Sequence, residues 1–164
     1  MITGNKRVLM NRTSRSTREC SVQDLDPGLR TAIREYMEKF KLSDLESTCL
    51  MCCETTSVRH KSGLFGKAQT TLSAVLLTPQ WLIWADSTDR NAAGIGSAQL
   101  TQIEVHDFES SAMGTIAPDE GLNITGRYTN NTKSGMTFIA LGAGPDGQKF
   151  RKMLREAKKQ ADTH

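Results

Sequence analysis

The segment "AVLLTPQWLIWAD", Ala74–Asp86, joins two apolar runs through a Thr-Pro-Gln corner. Proline cannot donate to a strand ladder, so Pro79-Gln80 reads as a tight turn, and a turn this short makes the two runs an antiparallel hairpin. In the second run, strand geometry puts Trp81, Ile83 and Ala85 on one side and Leu82, Trp84 and Asp86 on the other. Neither side is cleanly polar, as expected where a bent sheet is covered on both faces. Both tryptophans therefore read as packing groups, not as a ligand platform, with one ring set against a neighbouring helix.

Working outward, the same strand signals recur. "LESTCLMCCETTSVRH" from Leu45 alternates too strictly for a helix, "KSGLFGK" is a glycine-bounded turn, and "AQTTLSAVLLT" returns into the hairpin. After the loop "STDRNAAG" come a short "IGSA" and a longer "LTQIEVHDF". "GLNITGRYT" and "MTFIALG" follow, joined through "NNTKSG". This amounts to about seven consecutive antiparallel strands without an intervening helix, a number that tends to curl into a sandwich or barrel.

Helices flank the strands. In "DPGLRTAIREYMEKF", Asp26 is a good N-cap and Pro27 a good first-turn residue, while Leu29, Ile33, Tyr36, Met37 and Phe40 recur at helical spacing. A second helix is expected from Pro145 to about Gln160, with Phe150, Met153, Leu154, Ala157 and Ala161 on one face and Lys and Arg on the other. Its apolar stripe is expected to plug the open end of the curled sheet.

The 164 residues carry a net charge of +3 that is unevenly spread. Residues 1–18 carry +5 and residues 146–164 carry +3, leaving −5 for the middle. A uniformly basic nucleic-acid-binding body is disfavoured, although the amino-terminal arm alone has the charge for an anionic surface. The chain divides into a basic, unstructured arm (1–24), an added helix (25–42) and a β-rich domain (43–164). Neither a signal core nor a membrane-length apolar run is visible, so a cytoplasmic protein with reduced thiols is expected, peripheral membrane association being the alternative.

With "AVLLTPQWLIWAD", "AQLTQIEVHDF" and the closing "GPDGQKFRKMLREAK" in this order, the chain from about Leu45 to Gln160 resembles the pleckstrin-homology-like superfold in its bacterial, GRAM-like branches. The resemblance implies a mainly β fold with α: a barrel of about seven antiparallel strands closed by a C-terminal helix, here with an added N-terminal helix. It also points to the first hairpin loop, where that superfold often grips phosphoinositide headgroups. Here the loop is "RHKSGLFGK", in which Arg59, Lys61 and Lys67 offer charge-assisted bonds to an anion and Leu64 and Phe65 offer an apolar tip. Arg90 and Lys133 on neighbouring loops complete the expected rim. The headgroup pattern wants a second basic residue two beyond Lys67, where this chain has Gln69, and Asp86 and Asp89 weaken an anion site nearby.

Three motifs invite other chemistry. "GAGPDG", Gly142–Gly147, fits G-x-G-x-x-G, but a dinucleotide site also needs a parallel βαβ unit, and no strand follows the last helix. In "CLMCC", Cys49 and Cys52 have C-x-x-C spacing without a second ligand pair; in a strand Cys49 and Cys53 share one face and Cys52 takes the other, so all three read as small buried hydrophobes. His60, His106 and His164 have no evident nucleophile partner. The expectation is a non-catalytic binding module without metal or cofactor, recognising a protein partner. The alternatives are anionic lipid headgroups at the first hairpin and, from another class, a nucleotide-dependent enzyme at Gly142–Gly147.

Overall fold

The computed structural model describes residues 13–60, 66–88, 91–129 and 131–164. Its order is β1 (Thr13–Glu19), α1 (Pro27–Lys39), β2 (Met51–Arg59), β3 (Gln69–Leu77), β4 (Trp81–Thr88), β5 (Asn91–Gln99), β6 (Ile103–Asp107), α2 (Ala112–Ile116), β7 (Gly121–Arg127), β8 (Ser134–Ala140) and α3 (Pro145–Asp162). Every strand pair is antiparallel. The strands form two sheets, β1-β2-β3-β4-β5 and β6-β7-β8. Among the described residues no strand pair joins the two sheets, so the expected barrel is not closed.

The hairpin of β3 and β4 forms as its sequence predicts. Leu77 pairs with Leu82, and the Thr78 hydroxyl accepts hydrogen bonds from the backbone N–H groups of Gln80 (3.3 Å) and Trp81 (2.9 Å), fixing the corner before Trp81. Alternation then sorts the side chains onto two cores. Cys53, Val75, Leu77, Leu82 and Trp84 face the second sheet and α3, whereas Cys52, Ala74, Leu76 and Ile83 face α1. Coverage on both sides explains why neither face of "WLIWAD" is polar.

Each helix lies where its stripe requires. Asp26 caps α1, its carboxylate accepting from the N–H groups of Gly28 (3.0 Å) and Leu29 (3.4 Å). Leu29, Ile33 and Met37 are fully buried against the outer face of the five-stranded sheet. Phe150 and Leu154 of α3 are likewise buried between the sheets. Arg151, read from sequence as part of the solvated face, is also buried. It donates to the carbonyls of Gly142 (2.8 Å) and Leu141 (3.0 Å) and pairs with Glu109 at 2.9 Å, which satisfies its charge inside the fold.

Residues 13–24 depart from the unstructured arm expected of them. β1 pairs with β2 along its whole length, from Thr13 with Arg59 to Glu19 with Cys53, and a 3-10 turn follows at Val22–Asp24. "TSRSTRE" has no apolar period because β1 is an edge strand, held by polar groups instead of burial. Thr17 and Thr55 share a hydroxyl hydrogen bond of 2.7 Å, and Arg18 pairs with the buried Glu54 at 2.8 Å. Residues 1–12 of the arm lie outside the described residues.

Smaller differences have similar causes. The strand expected from Leu45 begins only at Met51, after a 3-10 turn at Ser43–Glu46 that seats Leu45 under α1. Cys49 precedes that strand, so it packs with Cys52 and Cys20 beside α1 and not with Cys53, as strict alternation had placed it. The short "IGSA" is the end of a nine-residue β5. The five-residue helix α2 has no apolar repeat long enough to be seen in sequence.

Candidate functional site

Along the inner face of the five-stranded sheet, the apolar side chains stop before the strands do. Below Trp84, the residues Cys53, Val75, Leu77 and Leu82 are sealed by α3 and the second sheet. Beyond it, the same alternation presents Ser57 and Arg59 on β2, Gln69, Thr71 and Ser73 on β3, and Asp86 on β4. These polar groups form one wall of a cleft of about 550 Å3. The opposite wall is Phe108, the Ala117–Asp119 segment and Phe138–Ala140 of β8.

One arginine braces the cleft. Arg15 on β1 makes a bidentate pair with Asp119, both contacts 2.8 Å, and donates to the Ser57 hydroxyl. Its guanidinium also lies 5.3 Å from the centre of the Phe138 ring. Fork-on-fork pairing of this kind fixes direction as well as distance. Arg15 thus ties the edge of one sheet to the loop leading into β7, and its charge is already matched. Phe138 stands edge-on to Phe108 at 5.1 Å, which carries the aromatic wall round to α2.

The floor depends on a glycine. The indole of Trp84 lies across Gly96 of β5, where a Cβ would come within 2.5 Å of the ring. Any side chain there would displace Trp84 from its present position. The other edge of the ring is held by Tyr128, edge-on at 5.2 Å, whose hydroxyl donates to the Ile124 carbonyl at 2.7 Å. Trp84 therefore separates the sealed core from the open cleft while belonging to both.

Asp86 is the acid that remains. It stands on β4 opposite Ser73 and Gly94, and partial burial raises its carboxyl above the ordinary value. Among the described residues it has no ion-pair partner, unlike Asp119. Arg59, paired across the ladder with Gln69, is the corresponding cation, exposed at the hairpin end of the cleft. With Arg15 and Asp119 matched to each other, the described charges lining the cleft balance.

Of the residues expected at the binding rim, Arg59 lines this cleft. Lys67 is exposed in the segment leading into β3, and Lys133 is exposed in the turn between β7 and β8; neither lines it. Lys61, Leu64, Phe65 and Arg90 lie outside the described residues. Sequence reading missed Ser57, Thr71, Ser73, Phe108, Asp119 and Phe138 as a group. The polar alternation at Ser57-Arg59 and at Gln69-Thr71-Ser73 was a visible signal for one wall. The partners across the cleft come from segments far along the chain, and no local pattern announces them.

The glycine-rich and cysteine motifs make the following contacts within the fold. In "GAGPDG", the Gly142 N–H donates to the Thr17 hydroxyl at 2.8 Å while its carbonyl accepts from Arg151. A Cβ at Gly147 would lie 1.9 Å from that carbonyl, so this glycine lets α3 approach the strand exit. Pro145 starts the helix as its sequence position predicts. Burial pushes the thiols of Cys20 and Cys49 up, drives Cys52 far up and raises Cys53 to about 12, so all four stay protonated and pack as small apolar groups. Among the described residues, no group of three or more His, Cys, Asp or Glu side chains is placed to hold a metal ion, and no helix is long and apolar enough to cross a membrane.

No family model, curated protein or solved structure matches this chain.

Proposed function

We propose that this chain is a non-catalytic, pleckstrin-homology-like binding module that takes a segment of a partner protein into the cleft between its two sheets. The observation that carries the reading is the cleft's border. Phe138, 37% exposed, lines the cleft; Ile116, 71% exposed, precedes the lining residue Ala117, and Met136, 72% exposed, lies two residues before Phe138 on the same face of β8. Large apolar side chains left in water beside a concave polar surface suit a protein partner. The order of a β2–β5 meander, a three-stranded sheet and a closing helix supports the pleckstrin-homology-like assignment.

Balance of charge among the described residues of the cleft favours protein over lipid. A phosphorylated headgroup needs several unpaired cations, whereas Arg15 is committed to Asp119 and Asp86 would repel phosphate. The mixed hydroxyls, aromatic rings and opposite charges match the variety of groups along a polypeptide.

The test is a random peptide library displayed on phage, selected in parallel on the wild-type chain and on Thr71→Trp. Thr71 is half-buried on the cleft wall, so an indole there fills the space without entering the sealed core. Enrichment on wild type that is lost on a folded Thr71→Trp variant is the expected result. Equal selection on both proteins would remove the cleft from the account. Strong pelleting with phosphatidylserine vesicles, abolished by Lys67→Ala, would instead establish the headgroup reading.

A further inference from the structure

Four strands form the edges of the two sheets, and they are not protected alike. β1 carries Arg15, Arg18 and Glu19, and β6 carries Glu104, His106 and Asp107. Charges along an edge discourage another chain from pairing there. β5 has no charged residue, but at this edge the Ser97 carbonyl accepts the Thr129 N–H at 2.8 Å, and none of its residues lines the cleft. β8, "SGMTFIA", has neither a charge nor a proline over Ser134–Ala140. Its far side pairs with no strand among the described residues, and its Phe138, Ile139 and Ala140 line the cleft.

An uncharged, partly apolar strand edge beside a concave surface is the arrangement by which a sheet accepts an extended peptide as an extra strand. The cleft adds a charge requirement. Asp86 lines the cleft with its side chain open to solvent, faces Gly94 where no side chain crowds it, and forms no ion pair among the described residues, Arg59 included. A carboxylate in that setting gains most from a positively charged group brought by the occupant. The occupant best matched to both features is an extended polypeptide segment carrying a lysine or arginine.

We infer that the partner segment adds as a strand along the free edge of β8 and seats a Lys or Arg side chain on Asp86. This deepens the cleft reading and rests on it. Backbone pairing supplies affinity that is indifferent to most side chains, while Asp86 supplies selectivity. Met136 and Phe138, two residues apart on one face of β8, flank every second side chain of the incoming strand.

The test uses a peptide selected on the wild-type chain and rejected by Thr71→Trp, synthesised with single N-methyl groups at each position in turn. N-methylation at alternate positions is expected to weaken binding about 10-fold, since only every second amide of an added strand faces the ladder. Asp86→Asn is expected to weaken it by a similar ~10-fold through loss of the charge-assisted bond. N-methylation tolerated at every position, or unchanged binding by Asp86→Asn, overturns the inference while leaving the cleft as the binding site. If no peptide distinguishes wild type from Thr71→Trp, the cleft reading itself falls and the inference with it.

Discussion

The two halves of one sheet face differ more than the two sheets do. Cys53, Val75 and Leu82 lie in the same strands, on the same side, as Ser57, Thr71 and Asp86. The first set meets α3 and is sealed; the second meets Arg15, Asp119 and Phe138 across an open cleft. Period-two alternation fixes which side a residue faces, but not whether anything covers it. Cover is decided by where the closing helix begins. The chain turns at Gly142, held by Thr17 and Arg151, into α3 from Pro145, whose apolar face covers only the half with Cys53, Val75 and Leu82.

This contrast orders the expected mutational effects. Phe150→Ala strikes the sealed half, where the ring is fully buried, and should cost about 3–5 kcal/mol of unfolding free energy in denaturant titration. A loss below about 1 kcal/mol would mean that α3 does not plug the core. Arg151→Met keeps the bulk but strands the carbonyls of Leu141 and Gly142 and leaves Glu109 without its ion-pair partner; a loss of about 2–3 kcal/mol is expected by the same titration. Gly96→Ala tests the divider. Its methyl group would meet Trp84 within 2.5 Å, so a cost of about 1–3 kcal/mol should come with altered tryptophan fluorescence.

In the open half, Asp86→Asn should change stability by less than about 1 kcal/mol, since much of the side chain is in water. The sign is nevertheless set. Burial raises the folded carboxyl above its ordinary value of 3.8, so the native chain holds the proton more tightly than the unfolded one. The ionised form therefore costs stability above the folded value, and that cost fades as pH falls towards the ordinary value. Asp86→Asn should be slightly stabilising at neutral pH, and the gain should vanish in acid; thermal melts across pH would show a reversed trend if Asp86 were instead ion-paired.

The same contrast explains how much could be read in advance. Segments whose stability comes from burial announced themselves: the β3–β4 hairpin, the Asp26-capped α1 stripe and the Phe150–Leu154 face of α3 each carry a local apolar period. β1 did not, because its partners are hydroxyls, Glu54 and Asp119, the last more than a hundred residues away. Arg151 was misread for the same reason: a helical period cannot say that a guanidinium will find two strand-exit carbonyls. The cleft shares this character. Its hairpin wall and Arg59 were visible as polar alternation, whereas Phe108, Asp119 and Phe138 arrive by topology alone.

The division of that face is tested most directly by placing one thiol in each half of β3. Thr71→Cys and Val75→Cys lie four residues apart on the same side of the same strand, and site-resolved mass spectrometry distinguishes their alkylation from that of the native cysteines. Rapid maleimide labelling at position 71 in the folded protein, with position 75 reacting only as fast as the chain unfolds, is the result expected. Equal labelling rates at the two positions would contradict the account.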